Sequence, residues 1–548
     1  MIEVAVLLAV AAIAHGIARW SGVPAVPLMV VAGALASVTG LVSAPTVEDV
    51  LVLSLSVLLF TAGTALEVPA SGRLRSITFR IATLQFLALG GLGLGAALLF
   101  GYGWEASLYM AAALAASSTL LGVRLLQRRK QMFEPHGRLV MGVLLLQDLA
   151  IIALIPVLTW VGAGVASIAA ALGAALVLVL LSLATRRWVV PAIFRRISSD
   201  GETWLLVSLG VLFGFLGVGT VLDVPAVTSS FLAGFSLSRF PAGTAVRGQL
   251  TSLTDFFSAL FFTALGTWIV VPGGRELVES VVLAGIVILA TPPIVAVAAE
   301  RWGFTARNGI LSGFILAQTS EFSLVVALQG VTLGLVEPVV FTVIALTTVL
   351  TMSATPLLAT DRVTWSVMRW HPHRRPKRFS GDGAPPAEGH VVLLGCGSNG
   401  MQVLDLLFLE GVPVTVVEGD PAVVAALENA KIPVVRGDAA DRDALVAADV
   451  TSARVVVSTL RRARDNGPVL EMARRNRVPV LVRVFEKEEE RWIQRRGGIP
   501  VSFADATAED FFGWLETTGL DEVRTSSDEF PGSSPERSFG NRFNEEIS

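Results

Sequence analysis

Long apolar runs separated by short polar connections make up the chain as far as residue 360, and the pattern changes after Asp361. A helix that spans a membrane needs about 20 predominantly apolar residues, so these runs predict about thirteen spans. The predicted spans cover residues 2–18, 24–42, 48–68, 77–100, 105–127, 138–160, 165–187, 202–219, 222–240, 252–271, 276–299, 305–332 and 336–360.

Lysine and arginine are distributed very unevenly between the connections. Connections after odd-numbered spans contain nearly all of them, including Arg73, Arg128 and Arg301, whereas connections after even-numbered spans contain only Arg275. Because basic residues are retained on the cytoplasmic side, this asymmetry predicts an amino terminus outside the cell and a carboxyl-terminal part in the cytoplasm.

Composition agrees with a polytopic membrane protein and excludes an ordinary soluble enzyme. The chain of 548 residues is 53% hydrophobic and 16% charged, with a mean hydropathy of +0.67. Most of the charge lies after Asp361, so the sequence predicts a membrane domain followed by a soluble domain. The net charge of -3 gives no reason to expect a nucleic-acid partner, and Cys396, the single cysteine, excludes an internal disulfide.

Two predicted spans, the fifth and the twelfth, contain polar clusters. Small hydroxyl residues can satisfy backbone groups that an unwound helix leaves free, and transporters with inverted repeats place such interrupted helices at the substrate site. The two spans are seven apart and therefore run in opposite directions. We predict that spans one to six and eight to thirteen are inverted repeats, although hydroxyls that only join helices are an alternative. The clusters are Ser117, Ser118 and Thr119 in the fifth span and Gln318, Thr319, Ser320 and Glu321 in the twelfth.

An acidic residue interrupts the sixth span near its middle, where Gln147 precedes Asp148. A carboxylate in hydrocarbon costs at least roughly 2.5 kcal/mol, so it normally faces water or a partner and marks an ion pathway. A structural aspartate paired to another helix is the alternative. The second acid, Glu321, occupies the matching place of the second half. A buried carboxylate whose pKa is near neutral can hold either a proton or a cation.

A strand-like run at 390–394 leads directly into Gly395, Gly397 and Gly400, and helical spacing follows from 401 to 409. This order of strand, Gly-x-Gly-x-x-Gly and helix is typical of dinucleotide sites, where phosphate meets a helix amino terminus. Glu418 follows Gly400 by 18 residues, near the position of a ribose-binding acid.

Alternating strands and helices continue beyond this motif and predict a Rossmann-like parallel sheet. The further strands are 414–417, 434–435, 455–457 and 480–484, and the helices are 422–429, 441–447 and 467–476. After Gly497 there is room for little more than one helix, predicted at Ala506–Thr517. The predicted parts are a transmembrane domain at 1–360, a basic cytoplasmic linker at 361–389, a Rossmann-like domain at 390–520 and a disordered tail at 521–548.

Several membrane motifs together resemble the cation:proton antiporter superfamily, in the branch of the Kef-type potassium efflux systems. They are Leu59 to Gly63 with Leu66-Glu67, Ser117 to Thr119, Leu146 to Ala150, Ser230 to Gly234, Leu260 to Gly266 and Ala317 to Phe322. The resemblance implies an NhaA-like polytopic α-helical fold, a homodimer, and exchange of protons for a monovalent cation at Asp148, with Gln147 typical of the Kef-type subgroup.

The resemblance favours potassium over sodium. It implies a prokaryotic multi-pass protein of the plasma (inner) membrane and a secondary active transporter rather than an enzyme. A sodium/proton antiporter, a ligand-gated potassium channel-like system and a membrane-anchored NAD oxidoreductase are the alternatives.

Two positions depart from the family pattern. Thr291 lies where many relatives have a basic residue, which leaves the exchange stoichiometry open. The stretch Ala242 to Thr254, which is acidic in Kef-type systems, here contains Arg247 and no acid. Control by glutathione is therefore not expected.

The soluble part resembles the RCK, or TrkA-N, nucleotide-binding module, on the glycine motif together with the run from Arg436 to Asp441. The resemblance implies a regulatory adenine nucleotide (AMP, ATP/ADP or NAD(H)), no catalytic cofactor, and no metal beyond the transported cation. A Rossmann shell that only dimerises is the alternative. The implied contacts are Gly395, Gly397, Ser398, Asn399, Gly400, Glu418, Asp438, Ala439 and Thr459.

Overall fold

The computed structural model describes residues 2–21, 23–42, 47–64, 72–159, 165–196, 201–238, 242–368, 377–379 and 389–502. The chain divides into two compact units. The first consists of Met1–Pro69, Arg75–Ala296 and Ile310–Thr364, and the second of Ala70–Leu74, Val297–Gly309 and Trp365–Ser548.

Apolar helices account for most of the chain up to residue 368. They are α1 (Ile2–Ser21), α2 (Ala25–Val38), α3 (Glu48–Thr64), α4 (Gly72–Leu99), α5 (Trp104–Ala115), α6 (Thr119–Arg128), α7 (Pro135–Thr159), α8 (Val165–Ala184), α9 (Val190–Arg196), α10 (Gly201–Val221), α11 (Ala226–Ser236), α12 (Ala242–Gly266), α13 (Gly274–Arg301), α14 (Ala306–Leu316), α15 (Glu321–Thr332), α16 (Pro338–Leu358) and α17 (Asp361–Met368). A π-helical turn, Thr185–Val189, joins α8 to α9.

Within the described residues, nine helical segments are long and apolar enough to cross a membrane. The segments Trp104–Arg128 and Ala306–Thr332 each combine two helices. Shorter apolar helices lie at Ala25–Val38, Ala226–Ser236 and Leu253–Gly266. The polytopic helical fold is therefore as the sequence predicts, and the count of thirteen spans stays a prediction.

An internal repeat relates α2 to α11. Each helix begins directly after the proline of a Val-Pro-Ala-Val sequence, at Pro24 and Pro225. Each has an Ala-Gly pair later in the helix, ending at Gly33 and Gly234. The two prolines are 201 positions apart, and so are the two glycines. Proline fixes its own backbone angle φ and is well placed at the start of a helix, which explains why both helices begin there.

The repeated glycines lie where helices cross closely. A methyl group at Gly33 would meet the backbone of Thr263 in α12, and one at Gly266 would meet Val30 in α2. The corresponding contact in the other half joins Gly63 of α3 to Gly234 of α11. Small residues allow helix backbones to approach in this way inside a membrane. The symmetry exchanges α2 with α11 and α3 with α12, so each crossing is the counterpart of the other.

Both predicted interruptions are present. Helix α5 ends at Ala115 and α6 begins at Thr119, while α14 ends at Leu316 and α15 begins at Glu321. Serine caps the second helix of each pair: Ser118 accepts a hydrogen bond from Leu121 N at 3.3 Å, and Ser320 forms a capping box with Ser323. These side chains satisfy backbone donors that a helix start leaves free.

The second unit contains a seven-stranded sheet with the order β1-β4-β3-β2-β5-β6-β7. Strands β2 to β7 are parallel, and β1 pairs antiparallel with β4. The six parallel strands have the doubly wound Rossmann order, in which the crevice for a ligand lies where the order reverses, beside β2 and β5.

Helices alternate with these strands, and apolar clusters fill the space between them and the sheet. The strands are β1 (Lys377–Phe379), β2 (Val391–Leu394), β3 (Val414–Glu418), β4 (Val434–Arg436), β5 (Val455–Ser458), β6 (Val480–Val484) and β7 (Ile499–Ser502). The helices are α18 (Ser398–Leu409), α19 (Pro421–Asn429), α20 (Arg442–Ala447), α21 (Gly467–Asn476) and α22 (Lys487–Gln494), with a short 3₁₀ helix at Ala463–Asn466.

The sheet has two strands that the sequence pattern does not predict. Strand β1 and helix α17 both lie inside the stretch 361–389, which the composition presents as a linker, and β7 follows Gly497. Strands of three and four residues contain too little alternation to be recognised without their pairing partners. The residues 374–376 and 381–386 of the predicted linker, Glu67, the helix predicted at Ala506–Thr517 and the tail from Asp521 lie outside the described residues.

We expect Gly234→Ala to destabilise the membrane unit by roughly 1–3 kcal/mol, because a methyl group there overlaps the backbone of Phe60. The measurement is thermal unfolding of the purified protein in detergent. Gly210→Ala in α10 is the matched control, since a methyl group at Gly210 meets nothing within 4 Å. Equal melting temperatures for the two variants would contradict the close crossing.

Candidate functional site

The two interruptions of the membrane unit contact each other through their polar side chains. The hydroxyl of Ser117 donates to the carbonyl of Leu316 at 2.7 Å, and Nε2 of Gln318 donates to the carbonyl of Ser118 at 3.3 Å. Each interruption thus donates a side-chain hydrogen bond to a backbone carbonyl of the other. The predicted polar clusters of the fifth and twelfth spans lie at one place in the fold.

Helix α7 places Gln147 and Asp148 against this crossing. Oε1 of Gln147 accepts a hydrogen bond from Ser117 N at 3.1 Å, and Oδ2 of Asp148 accepts one from the Thr119 hydroxyl at 2.6 Å. Both side chains are buried, and Asp148 is 8% exposed. The amide therefore holds the unwound backbone while the carboxylate faces the start of α6.

Glu321 is the first residue of α15. A carboxylate is favourable at this end of a helix, where free N–H groups and the helix dipole carry positive charge. The Glu321 carboxyl group lies near the Ser118 and Ser320 hydroxyls and interacts electrostatically with Asp148. Among the described residues, neither carboxylate has a salt-bridge partner.

Unpaired acceptor oxygens concentrate around the two acids. Oδ1 of Asp148, Oε2 of Glu321 and Oε1 of Gln318 are buried and have no hydrogen-bond donor among the described residues, and Oε1 of Gln85 is in the same state. Buried polar atoms without partners are rare in native proteins and call for an explanation. Oxygen acceptors of this kind are the ligands that a proton or an alkali cation requires.

Threonines of α16 support the second interruption. The hydroxyl of Thr351 accepts from Thr319 N at 3.2 Å, the hydroxyl of Thr319 donates to that of Thr348 at 2.9 Å, and Thr355 donates to the carbonyl of Ala317 at 3.2 Å. Positions 348, 351 and 355 share one face of the helix. The free backbone groups of the broken segment are therefore held by side chains of the following span.

Two features of this site are not evident from the sequence. Gln85, in the apolar helix α4, donates from Nε2 to the hydroxyl of Ser117 at 3.1 Å. A single polar residue in an apolar run, which marked Asp148, could also have marked Gln85 in the sequence. The threonines of α16 are a weaker indication of a site, because threonine is common in membrane helices. Thr291 is buried in α13 and donates to the carbonyl of its own helix at Val287, 2.6 Å away.

The glycine motif of the second unit forms a tight turn between β2 and α18. Gly395 has a φ of +82°, which favours glycine. A methyl group at Gly400 would meet the carbonyl of Gly395, whereas one at Gly397 meets nothing within 4 Å. The first and third glycines thus serve the turn and the packing of the helix, and Gly397 faces open space at the start of α18.

Glu418, at the end of β3, is tied to this loop. Its carboxylate accepts from the backbone N–H groups of Cys396 at 2.6 Å, Gly419 at 2.7 Å and Asp420 at 2.8 Å. Burial and the charge of Asp420 raise the pKa of Glu418 to about 7, against the effect of these donors. Burial and the Glu418 charge also raise the pKa of the Cys396 thiol, so this cysteine is not a reactive thiolate at neutral pH.

The other predicted nucleotide contacts lie at the same edge of the sheet. Ser398 and Asn399 begin α18, and the hydroxyl of Thr459, after β5, donates to the carbonyl of Gly395 at 3.0 Å. Asp438 and Ala439 follow β4. All nine positions therefore lie next to the carboxyl ends of β2, β3, β4 and β5, where ligands bind in doubly wound sheets.

Comparison with known protein families matches residues 5–360 to the transmembrane sodium/hydrogen exchanger family and residues 391–511 to the TrkA-N domain. The chain belongs to the sodium/hydrogen exchanger family. It is a secondary active transporter with a carboxyl-terminal TrkA-N domain.

Similar proteins agree with this assignment. The exchanger is 26% identical over 501 residues to the glutathione-regulated potassium-efflux system protein KefC of Escherichia coli K12, covering 86% of this chain and 77% of KefC. The KefC of Shigella flexneri gives the same values. The sodium proton antiporter MjNhaP1 of Methanocaldococcus jannaschii has the same fold, with a TM-score of 0.52 and 14% identity over 66% of this chain and 97% of MjNhaP1.

We expect Thr351→Val to destabilise the exchanger by roughly 1–3 kcal/mol, because the buried Thr319 N–H loses the one acceptor that it has among the described residues, with little change in side-chain volume. Thermal unfolding in detergent measures the loss. Thr220→Val is the matched control, since Thr220 is exposed and donates only within its own helix. A Thr351 variant as stable as the Thr220 variant would show that the threonine face does not support the interruption.

Proposed function

We propose that the exchanger moves potassium out of the cell in exchange for protons, at a site formed by Asp148 and Glu321 with the oxygens of Gln147, Gln318 and Ser118. The observation that supports this proposal is the pair of interacting carboxylates, each with a buried oxygen that has no donor and no salt bridge among the described residues. Two such acids resist simultaneous ionisation unless a proton or a cation neutralises them.

Exchange then follows because a proton and a cation compete for the same two carboxylates. When a cation lies between the carboxylates, it removes the need for a proton, and when the cation leaves, a proton must replace it. Thr119 fixes Asp148 by one oxygen and leaves the other available to either species. Ser117 and Thr319 act through the unwound backbone, whose half-helix ends orient carbonyls and N–H groups towards the ion.

Potassium is favoured over sodium because the KefC proteins are named as potassium-efflux systems. The exchange stoichiometry depends on how many protons the two carboxylates hold, since Thr291 contributes no charge at the position where many relatives have a basic residue. The proposal does not include control by glutathione, because the stretch Ala242 to Thr254 has no acidic residue.

We further propose that an adenine nucleotide binds at the glycine loop of the TrkA-N domain and regulates exchange. The open position at Gly397, the start of α18 and the carboxylate of Glu418 have the arrangement that phosphate and ribose require. We propose that this domain is cytoplasmic and that the amino terminus lies outside, which the distribution of basic residues supports. We also propose a homodimer through both the membrane and TrkA-N domains in the plasma (inner) membrane of a prokaryote.

Asp148→Asn is expected to abolish exchange, because a neutral amide can neither bind a proton nor balance a cation. The measurement is proton movement in proteoliposomes, reported by a pH-sensitive dye, on addition of potassium, sodium, lithium or rubidium. Asp255→Asn is the control, since that acid forms an exposed ion pair with Arg124. Wild-type rates in the Asp148 variant would refute the site. If only sodium drives proton movement, the transported cation is sodium and not potassium.

Gly397→Asp is expected to remove nucleotide binding, because it places a negative charge where phosphate approaches the start of α18 and there is room for the side chain. Gly397→Asn is the matched control, because asparagine has the size of aspartate without its charge. This variant should bind the nucleotide more tightly than Gly397→Asp. Thermal stabilisation by AMP, ATP or NADH measures binding. Equal stabilisation of the wild type and Gly397→Asp would refute the pocket.

A further inference from the structure

Arg307 is a buried arginine whose charge is held by two acids of the second unit. It lies at the start of α14, in the segment Val297–Gly309 that belongs to this unit, and is 7% exposed. Its guanidinium group lies 2.9 Å from Oδ2 of Asp438 and 3.4 Å from Oδ1 of Asp465, and 5.6 Å from the ring centre of Trp365. Neither the glycine motif nor the proposed ion site uses this residue.

The two acids lie on opposite sides of the proposed nucleotide crevice. Asp438 follows β4, and Asp465 lies in the 3₁₀ helix that follows β5. In the sheet, β3 and β2 separate these two strands. One guanidinium group therefore reaches residues on both sides of the glycine loop, which follows β2.

The backbone around Arg307 is also close to this edge of the sheet. A methyl group at Gly303 would lie 3.2 Å from Cβ of Pro421 and 3.5 Å from the guanidinium group of Arg436. A methyl group at Gly419 would lie 3.6 Å from Cγ2 of Thr305. The segment thus packs against the ends of β3 and β4 as well as pairing with Asp438.

Both oxygens of the Asp438 carboxylate have a partner within the second unit. Oδ1 accepts from Ala440 N at 2.8 Å, and Oδ2 pairs with Arg307. A ligand that hydrogen bonds to Oδ2 of Asp438 shares this oxygen with the guanidinium group or displaces it. In either case the free energy of the Arg307 pair depends on whether the crevice is occupied.

We infer that Arg307 closes the nucleotide crevice and is the residue through which an occupant alters transport. The inference rests on the proposed function. Helix α14 begins at Ala306 and ends at Leu316, whose carbonyl accepts the Ser117 hydroxyl at the proposed ion site. A change in the pairing of Arg307 therefore acts on a short helix whose other end is part of the crossing. The ligand class is a nucleotide with a hydroxyl or amino group that can reach Asp438.

The test compares Arg307→Gln with Arg301→Gln in proteoliposomes of the full-length protein. Arg301 lies in the same segment, is exposed and has no ion pair among the described residues. Potassium-driven exchange is measured with and without AMP, ATP and NADH, and binding is measured separately by thermal stabilisation. For the wild type and Arg301→Gln, we expect the nucleotide to change the rate. For Arg307→Gln, we expect the nucleotide still to bind, but the exchange rates with and without nucleotide should be equal, so that their ratio is about one.

Arg307→Lys keeps the charge but loses the second donor branch, so it should give an intermediate ratio. This variant also tests whether a loss of response reflects misfolding, since it preserves the pair with Asp438. The inference would be overturned if Arg307→Gln had the wild-type ratio of exchange rates with and without nucleotide. It would also be overturned if Arg301→Gln lost the response to nucleotide to the same extent as Arg307→Gln. If the wild type binds no nucleotide, the proposed nucleotide site fails and the inference fails with it. If it binds and responds but Arg307→Gln responds equally, only the inference fails.

Discussion

The central constraint on this exchanger is electrostatic: two carboxylates, Asp148 and Glu321, interact with each other and each has a buried oxygen without a donor, and no described residue supplies a fixed positive charge to balance them. Removing a charge from water costs several kcal/mol, and a second charge of the same sign adds to that cost. The site is therefore most stable when something positive occupies it. A transporter with this constraint does not need a separate device to couple its two substrates, because releasing a cation without accepting a proton leaves two unneutralised acids in the protein interior.

The same constraint explains why the surrounding structure is polar and rigid. A broken helix leaves backbone groups without partners, and in a membrane water does not satisfy them. Here the two interruptions bond to each other through Ser117 and Gln318, and the threonines of α16 bond to the second one. The acids thus face a crossing whose other polar atoms are mostly engaged, so the remaining unpaired oxygens are available to an ion. The close crossings at Gly63–Gly234 and Gly33–Gly266 hold neighbouring helices at short separation.

The sequence predicted the parts of the site that depend on local chemistry. An isolated acid in an apolar run, two hydroxyl-rich breaks and a Gly-x-Gly-x-x-Gly motif after a strand all have causes within a few residues, and the structure contains each. The sequence did not predict the residues and strands whose positions depend on contacts with distant parts of the chain. Gln85, the threonines of α16, strand β1 and Arg307 acquire their places only through partners at least 29 residues away. The repeat of Pro24 and Gly33 at Pro225 and Gly234 is different, because a search for internal similarity at a spacing of 201 positions finds it in the sequence alone.

Energetics also decide which ion pairs of the exchanger are able to transmit a ligand signal. A useful coupling between two sites amounts to roughly 1–3 kcal/mol, which changes an affinity about 5- to 150-fold. The side chains of Arg124 and Asp255 are 40% and 65% exposed, and pairs as exposed as this contribute at most about 1 kcal/mol. The side chains of Arg307 and Asp438 are 9% and 15% exposed, so water cannot replace a lost partner at little cost. Breaking a pair this buried leaves an uncompensated charge, at a cost of about 3–5 kcal/mol. The Arg307 pair is therefore strong enough to supply the coupling, whereas the Arg124 pair is not.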